Sequence, residues 1–171
     1  MRTKSAVVFL FLTLFGLLLG GCAKDTDYFD DFQGAFSAEV EGEMNGVAFS
    51  ALVEAAAAPA EGMREVTVTF YAPEGVKGVT VRRNADGTCV LSSGNVSVEP
   101  DAAGFAPLLD LFPISGQVNA VTLTDEGYTK VAGNGFSLTL LPDGTPYAVE
   151  TPAVTARVVR FEQYEPSSGG G

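Results

Sequence analysis

Hydrophobic and polar residues alternate along most of this chain with a period of two. Phe36, Ala38 and Val40 alternate with Ser37, Glu39, Glu41 and Glu43, which predicts a strand with one buried and one wet face. Asn45-Gly46 follows, a dipeptide suited to a type I′ hairpin because both turn positions need positive φ. Val47, Phe49, Ala51 and Val53 then alternate with Ser50 and Glu54, until the alanine run 55–58 blurs the pattern and Pro59 to Gly62 breaks it. Val66, Val68 and Phe70, with Thr67 and Thr69 between them, predict a third strand, and 72–78 (APEGVKG) a loop. Short strands at 79–83, 88–92 and 95–99, joined at Asn84-Ala85-Asp86-Gly87 and Ser93-Gly94, read as a meander.

The period changes once. Phe105, Leu108, Leu109 and Phe112 are spaced i, i+3, i+4, i+7, one face of a short helix. Pro107 fits such a helix only in its first turn, and Pro113 ends it. Strands resume at 117–124, 128–132, 136–141, 147–151 and 154–161, separated by turns at Asp125-Glu126-Gly127, Gly133-Asn134-Gly135 and Asp143-Gly144. Val158-Val159 interrupts the last alternation, which predicts a bulge or a strand buried on both faces. The expected fold class is mainly β: one large curled antiparallel sheet, an incomplete β-barrel of about eleven strands, with one short covering helix. That helix is too short to cover a wide concave face, so a partly open apolar concavity is expected. Phe49, Phe70, Phe105, Leu109 and Phe112 are its candidate lining. For any single aromatic among them an ordinary packed core is the plainer expectation.

The ends of the chain read differently. Arg2 and Lys4 precede a nearly continuous apolar run from Ala6 to Leu19. As a helix those fourteen residues would span roughly 21 Å, short of the roughly 30 Å of a bilayer core, so the run fits a secretory signal. Leu19-Gly20-Gly21-Cys22 resembles the lipobox of bacterial lipoproteins. The resemblance implies that Cys22 receives a diacylglyceryl group on its sulfur and becomes the first residue of the processed chain, on the extracytoplasmic face of the membrane. Two acyl chains anchor a protein stably where one does not. Residues 22–33 read as an acidic tether, 34–164 as the β domain and 165–171 as a flexible tail. Asp25, Asp27, Asp30 and Asp31 lack the spacing and distal Glu of an EF-hand loop, so no metal is expected there.

Composition narrows the function classes. Residues 1–21 hold two of the ten Lys and Arg and none of the 21 acids, which leaves eight cations against 21 acids and a formal net charge of −13 for the rest. Such a chain is a poor partner for nucleic acid. Histidine is absent, which removes the commonest general base, the commonest metal ligand and every Ser-His or Cys-His pair. With Cys22 lipidated, Cys89 has no partner cysteine in the chain and reads as a small buried hydrophobe. Arg82 and Arg83 are adjacent on a strand and point to opposite faces, so at most one faces a concavity, and a solvated pair beside a turn is the plainer expectation.

The strand order, the helix carrying Phe105 to Phe112 after the sixth strand, and the segment VTVTFYAPEGVKGVTVRRNADGTCVLSSGNVSVEP resemble the LolA/LolB-type lipoprotein carriers. The resemblance covers roughly residues 34–164. It implies an incomplete barrel of about eleven strands, lidded by helices, with an apolar cavity for acyl chains. That family often carries an N-terminal helix, and none is evident here. The expectation is therefore a membrane-anchored extracytoplasmic protein that binds a lipid or a lipidated chain, without cofactor or metal and without catalysis. The alternative is a structural module that docks another cell-envelope protein and holds no small molecule.

Overall fold

A computed structural model describes residues 28–164. The expected signal peptide 1–21, the lipobox-like segment with Cys22, residues 22–27 of the expected tether and the expected tail 165–171 lie outside the described residues.

The alternating segments form eleven strands: β1 (Ala35–Met44), β2 (Val47–Ala55), β3 (Val66–Ala72), β4 (Thr80–Arg83), β5 (Cys89–Ser93), β6 (Val96–Val98), β7 (Val118–Leu123), β8 (Thr129–Gly133), β9 (Ser137–Leu140), β10 (Pro146–Glu150) and β11 (Val154–Tyr164). They make one curled, unclosed antiparallel sheet in the order β6-β5-β4-β3-β2-β1-β11-β10-β9-β8-β7. The topology is two meanders whose outermost chain segments, β1 and β11, pair at the centre. β6 and β7 are consecutive in the chain yet lie at opposite edges. The connection between them must therefore cross the molecule, and this connection carries the covering helix.

Local chemistry explains the register. Asn45 and Gly46 have φ of 51° and 82°, the positive values a type I′ turn demands. Met44 and Val47 then face each other directly, and the β1–β2 pairing runs without a shift from there to Phe36↔Ala55. Glu39 pairs with Arg160 but Val40 with Val158, so Val159 is the extra residue of a bulge. Val158 is buried and Val159 is exposed, as an inserted residue on a half-wet strand requires.

The inward residues of the central strands, among them Phe36, Ala38, Val40, Val53, Val68, Val81, Val131, Leu138 and Val149, are almost wholly buried. Two short helices lie against this face: α1 (Asp30–Gln33) and α2 (Ala106–Leu109). The single expected helix is thus corrected to two. The last six residues of the expected tether are also corrected. Phe29 and Phe32 of that acidic stretch are 6% and 0% exposed, because their rings find partners on the sheet that outweigh the hydration of neighbouring aspartates. Phe32 meets Phe36, Phe112 and Phe161 at centroid distances of 5.8, 5.4 and 5.9 Å. One ring from α1, one from β1, one from the segment after α2 and one from β11 thus form a single cluster.

The second helix is shorter than its apolar stripe. It starts with Pro107 in its first turn and ends at Leu109. Past Asp110 the chain changes direction, so Leu111, off the expected stripe, is buried with Leu108, Leu109 and Phe112. Phe105, on the stripe, is only half-buried at the residue before the helix.

Candidate functional site

Cross-strand partners in an antiparallel pair point to the same face of the sheet, so the register can be read in rows. One row across the concave face runs Phe36, Ala55, Val66, Arg83 and Cys89. The next runs Ala38, Val53, Val68, Val81 and Leu91. Further along come Val40, Ala51 and Phe70, and then Gly42 with Phe49. Most of this face is filled by side chains. At the Phe36 end it is not. There, between the first two rows, α2 and the loop before β3, lies a half-open cavity of about 430 Å³.

Its walls combine an apolar body with a charged end. Phe36, Val53, Val66, Leu108, Leu109 and Phe112 supply the former, and Arg64, Arg83 and Asp110 are the charged residues that line it. Arg64 sits two residues before Val66, in phase with the inward side chains of β3, and is 6% exposed. Its guanidinium donates from Nε to the Ala56 carbonyl at 2.5 Å and from Nη2 to the Gly34 carbonyl at 2.6 Å. It also lies 4.7 Å over the Phe36 ring, a cation–π contact. Among the described residues Nη1 makes no hydrogen bond and no carboxylate lies within ion-pair distance of Arg64. Burial, and then the neighbouring charge of Arg83, push its pKa down to about 10, so it stays protonated at neutral pH.

Arg83 couples the parts. It donates from Nε to the Arg64 carbonyl at 3.0 Å, from Nη2 to the Leu109 carbonyl at 3.4 Å and from Nη1 to Asp110 Oδ1 at 2.6 Å. Its side chain is 11% exposed whereas that of Asp110 is 61% exposed, which puts the guanidinium inside and the carboxylate at the rim. Arg82, one residue away, points outward and pairs loosely with Glu65 at 3.7 Å. The expectation of a solvated arginine pair is therefore corrected for Arg83, whose row position turns it inward.

Of the candidate lining residues, Leu109 and Phe112 border the cavity and Phe49, Phe70 and Phe105 do not. Phe49 faces Gly42, six residues from Phe36 along β1, or about 20 Å at strand rise. It packs with Phe70, ring centroids 6.4 Å apart, at the far end of the concave face. Cys89 is buried with a free thiol. Arg64 is not among the sequence candidates. The signal that marks it is its phase: 66, 68 and 70 share one face of β3, and 64, just before the strand, continues that alternation. Among the described residues no group of three carboxylate or thiol side chains is placed to hold a metal ion, and no helix is long and apolar enough to cross a membrane.

No family model and no curated protein matches the chain. Among solved structures it is similar to an uncharacterized conserved protein from Thermus thermophilus, with 16% identity and a TM-score of 0.54 over 82% of this chain and 86% of that one. It is also similar to MucB, with 14% identity and a TM-score of 0.49, over 86% of this chain but 62% of MucB. A LolA superfamily protein, NE2245 from Nitrosomonas europaea, aligns at 13% identity and a TM-score of 0.32 over 78% and 71% of the two chains. At 16% identity the Thermus thermophilus likeness is one of fold alone.

Proposed function

We propose that this chain is a lipid-anchored extracytoplasmic binding protein that holds an apolar ligand, a lipid or a lipidated chain, between α2 and the concave face of its sheet. The observation that carries the reading is the cavity of about 430 Å³. Its volume falls within the roughly 300–1,000 Å³ of small-molecule sites, and its mainly apolar wall with a few polar groups is the composition such sites share. The anchor belongs to the same reading: LGGC at 19–22 follows a charged start and an apolar run, and acylation of Cys22 would hold the domain at the membrane surface. The ligand is bound without chemistry, in keeping with a sequence that has no histidine.

The test is native mass spectrometry of the chain from Cys22 onward, carrying Cys22→Ser and purified without detergent, followed by organic extraction. This chain retains every described residue. The expected result is a lipid adduct, or displacement of a solvatochromic probe by added lipid. A clean protein mass together with no probe binding would overturn the reading.

One observation favours the alternative, a module docking another envelope protein. Both edges of the unclosed sheet carry exposed apolar side chains: Val96 and Val98 on β6, Val121 and Leu123 on β7. An edge strand offers unpaired N–H and C=O groups to a partner strand. Val98→Lys and Leu123→Lys would then abolish cross-linking to the partner in cells and leave cavity occupancy unchanged.

A further inference from the structure

The charged end of the cavity does not match the rest of the molecule. The chain carries a formal net charge of −11, yet two of the three charged residues lining the cavity are arginines, against one carboxylate. Arg64 is the more telling. A buried guanidinium is expensive unless an anion or a full set of acceptors accompanies it. Arg64 has two backbone carbonyls and a ring but no carboxylate, and Nη1 is left to bond solvent or a ligand in the half-open cavity. Arg83 is bonded to Asp110, but that carboxylate sits at the solvent rim, where an incoming anion can compete for the guanidinium. Arg83 also donates to the Arg64 carbonyl, so the two residues are held side by side. The apolar part of the wall begins at once, since the Arg64 guanidinium lies on the Phe36 ring.

We infer that the cavity takes an amphiphile with an anionic head, a carboxylate or phosphate at the end of an acyl chain. The head is held by Arg64 and Arg83, and the chain lies along Phe36, Leu109 and Phe112. This rests on the apolar-ligand reading above and adds the chemistry of the head. The arginine fork is suited to bidentate contact with either head type. The inference also assigns Asp110 a role, as the resident anion that the ligand head displaces from Arg83.

The experiment is competition against a fluorescent apolar probe, using the chain from Cys22 onward with Cys22→Ser. The competitors are dodecanoate, dodecyl phosphate, dodecanol and inorganic phosphate. Hydrogen bonds to a charged group predict that one or both anionic amphiphiles compete about tenfold or more better than dodecanol. Inorganic phosphate should not displace the probe. The better of dodecanoate and dodecyl phosphate identifies the head. Arg64→Met should erase the preference over dodecanol, with folding checked by circular dichroism. Asp110→Asn, at a side chain 61% exposed and with folding checked in the same way, should tighten the anionic amphiphile several-fold relative to dodecanol. Equal competition by dodecanol and both anions, or an Asp110→Asn variant without tighter anion binding, overturns the inference while the apolar-ligand reading stands. Absence of competition by every acyl compound overturns both.

Discussion

Phe32 gives the sharpest test of the structure, because its neighbourhood in the sequence is acidic and reads as linker. Replacing it with alanine removes a ring that is 0% exposed and has three aromatic neighbours within 6 Å. Core Phe→Ala changes cost about 3–5 kcal/mol, and each ring pair adds roughly 0.5–1.5 kcal/mol beyond burial, so the upper part of that range is expected. Had residues 28–33 been a solvated tether, the same change would fall within about 0.5 kcal/mol of zero. Urea denaturation separates the two outcomes. With a slope of about 2 kcal/mol per molar urea, a loss of about 4 kcal/mol moves the midpoint down by about 2 M. Asp30→Ala, on the exposed side of the same helix, is the control and should leave the midpoint in place. The segment is also tied by its backbone, since Gln33 O accepts from Ala58 N at 2.7 Å and Asp31 O from Gln163 Nε2 at 3.1 Å. If α1 instead peels away as a separate unit, the slope falls along with the midpoint. A Phe32→Ala loss below about 1 kcal/mol at unchanged slope would refute the docking of α1 as the reason for the burial of this ring.

Three further outcomes follow from the packing. At Gly42 a Cβ would lie 2.1 Å from the Thr155 carbonyl oxygen, a backbone atom that cannot swing aside, so Gly42→Ala should cost about 1–3 kcal/mol by thermal or urea unfolding. Cys89, 4% exposed, should resist a thiol reagent in the native Cys22→Ser chain and react fully once urea is added; fast native labelling would contradict its place in the row with Arg83. Asp86 and Asp143 are held below the usual carboxylate range, Asp86 first by the Thr88 hydroxyl and Asp143 first by the Thr145 amide. A depressed folded pKa stabilises above the unfolded value of 3.8 and is lost as pH falls through the folded one. Unfolding at pH 7, 5 and 3 should therefore show stability dropping only at the last step, with a smaller drop in Asp86→Asn.

The features legible in the sequence are those that repeat. Strand phase recurs every two residues, so eleven strands, the Asn45-Gly46 hairpin and the irregularity at Val158-Val159 all leave local marks. Row position leaves none. Phe49, Phe70 and Phe112 look alike as apolar positions; the register counted from the hairpin places Phe49 six residues along β1 from the cavity, and the turn after α2 puts Phe112 at its wall. The α1 segment fails for a different reason. Four helical residues are too few to show a period, and the aspartates beside Phe32 dominate its composition. Arg64 combines both difficulties. It lies in a polar stretch, Glu61-Gly62-Met63-Arg64-Glu65, where charge reads as solvent exposure, and the Gly34 carbonyl and Phe36 ring that its guanidinium meets come about thirty residues earlier.

The energetics of Arg64 then bear on why it is there at all. Burial, and then the charge of Arg83, hold its pKa below the ordinary arginine value, at about 10, so keeping the guanidinium charged costs the folded state free energy. Because the folded value is the lower one for a cation, the penalty is present at every pH below about 10 and fades only above it. It does not vary across the physiological range. The two bonds to carbonyls and the Phe36 ring favour the charged form and hold that cost below what burial alone would impose. For stability alone, a methionine of similar length would fill the same wall without burying a charge, at the expense of two carbonyls losing their donors. Relief of the buried charge and loss of the two donors oppose each other, so Arg64→Met should lower the urea midpoint less than Phe32→Ala does. If the urea midpoint of Arg64→Met stays close to that of the unchanged chain, the guanidinium against the apolar wall is accounted for by the anionic head inferred above rather than by the packing of the sheet.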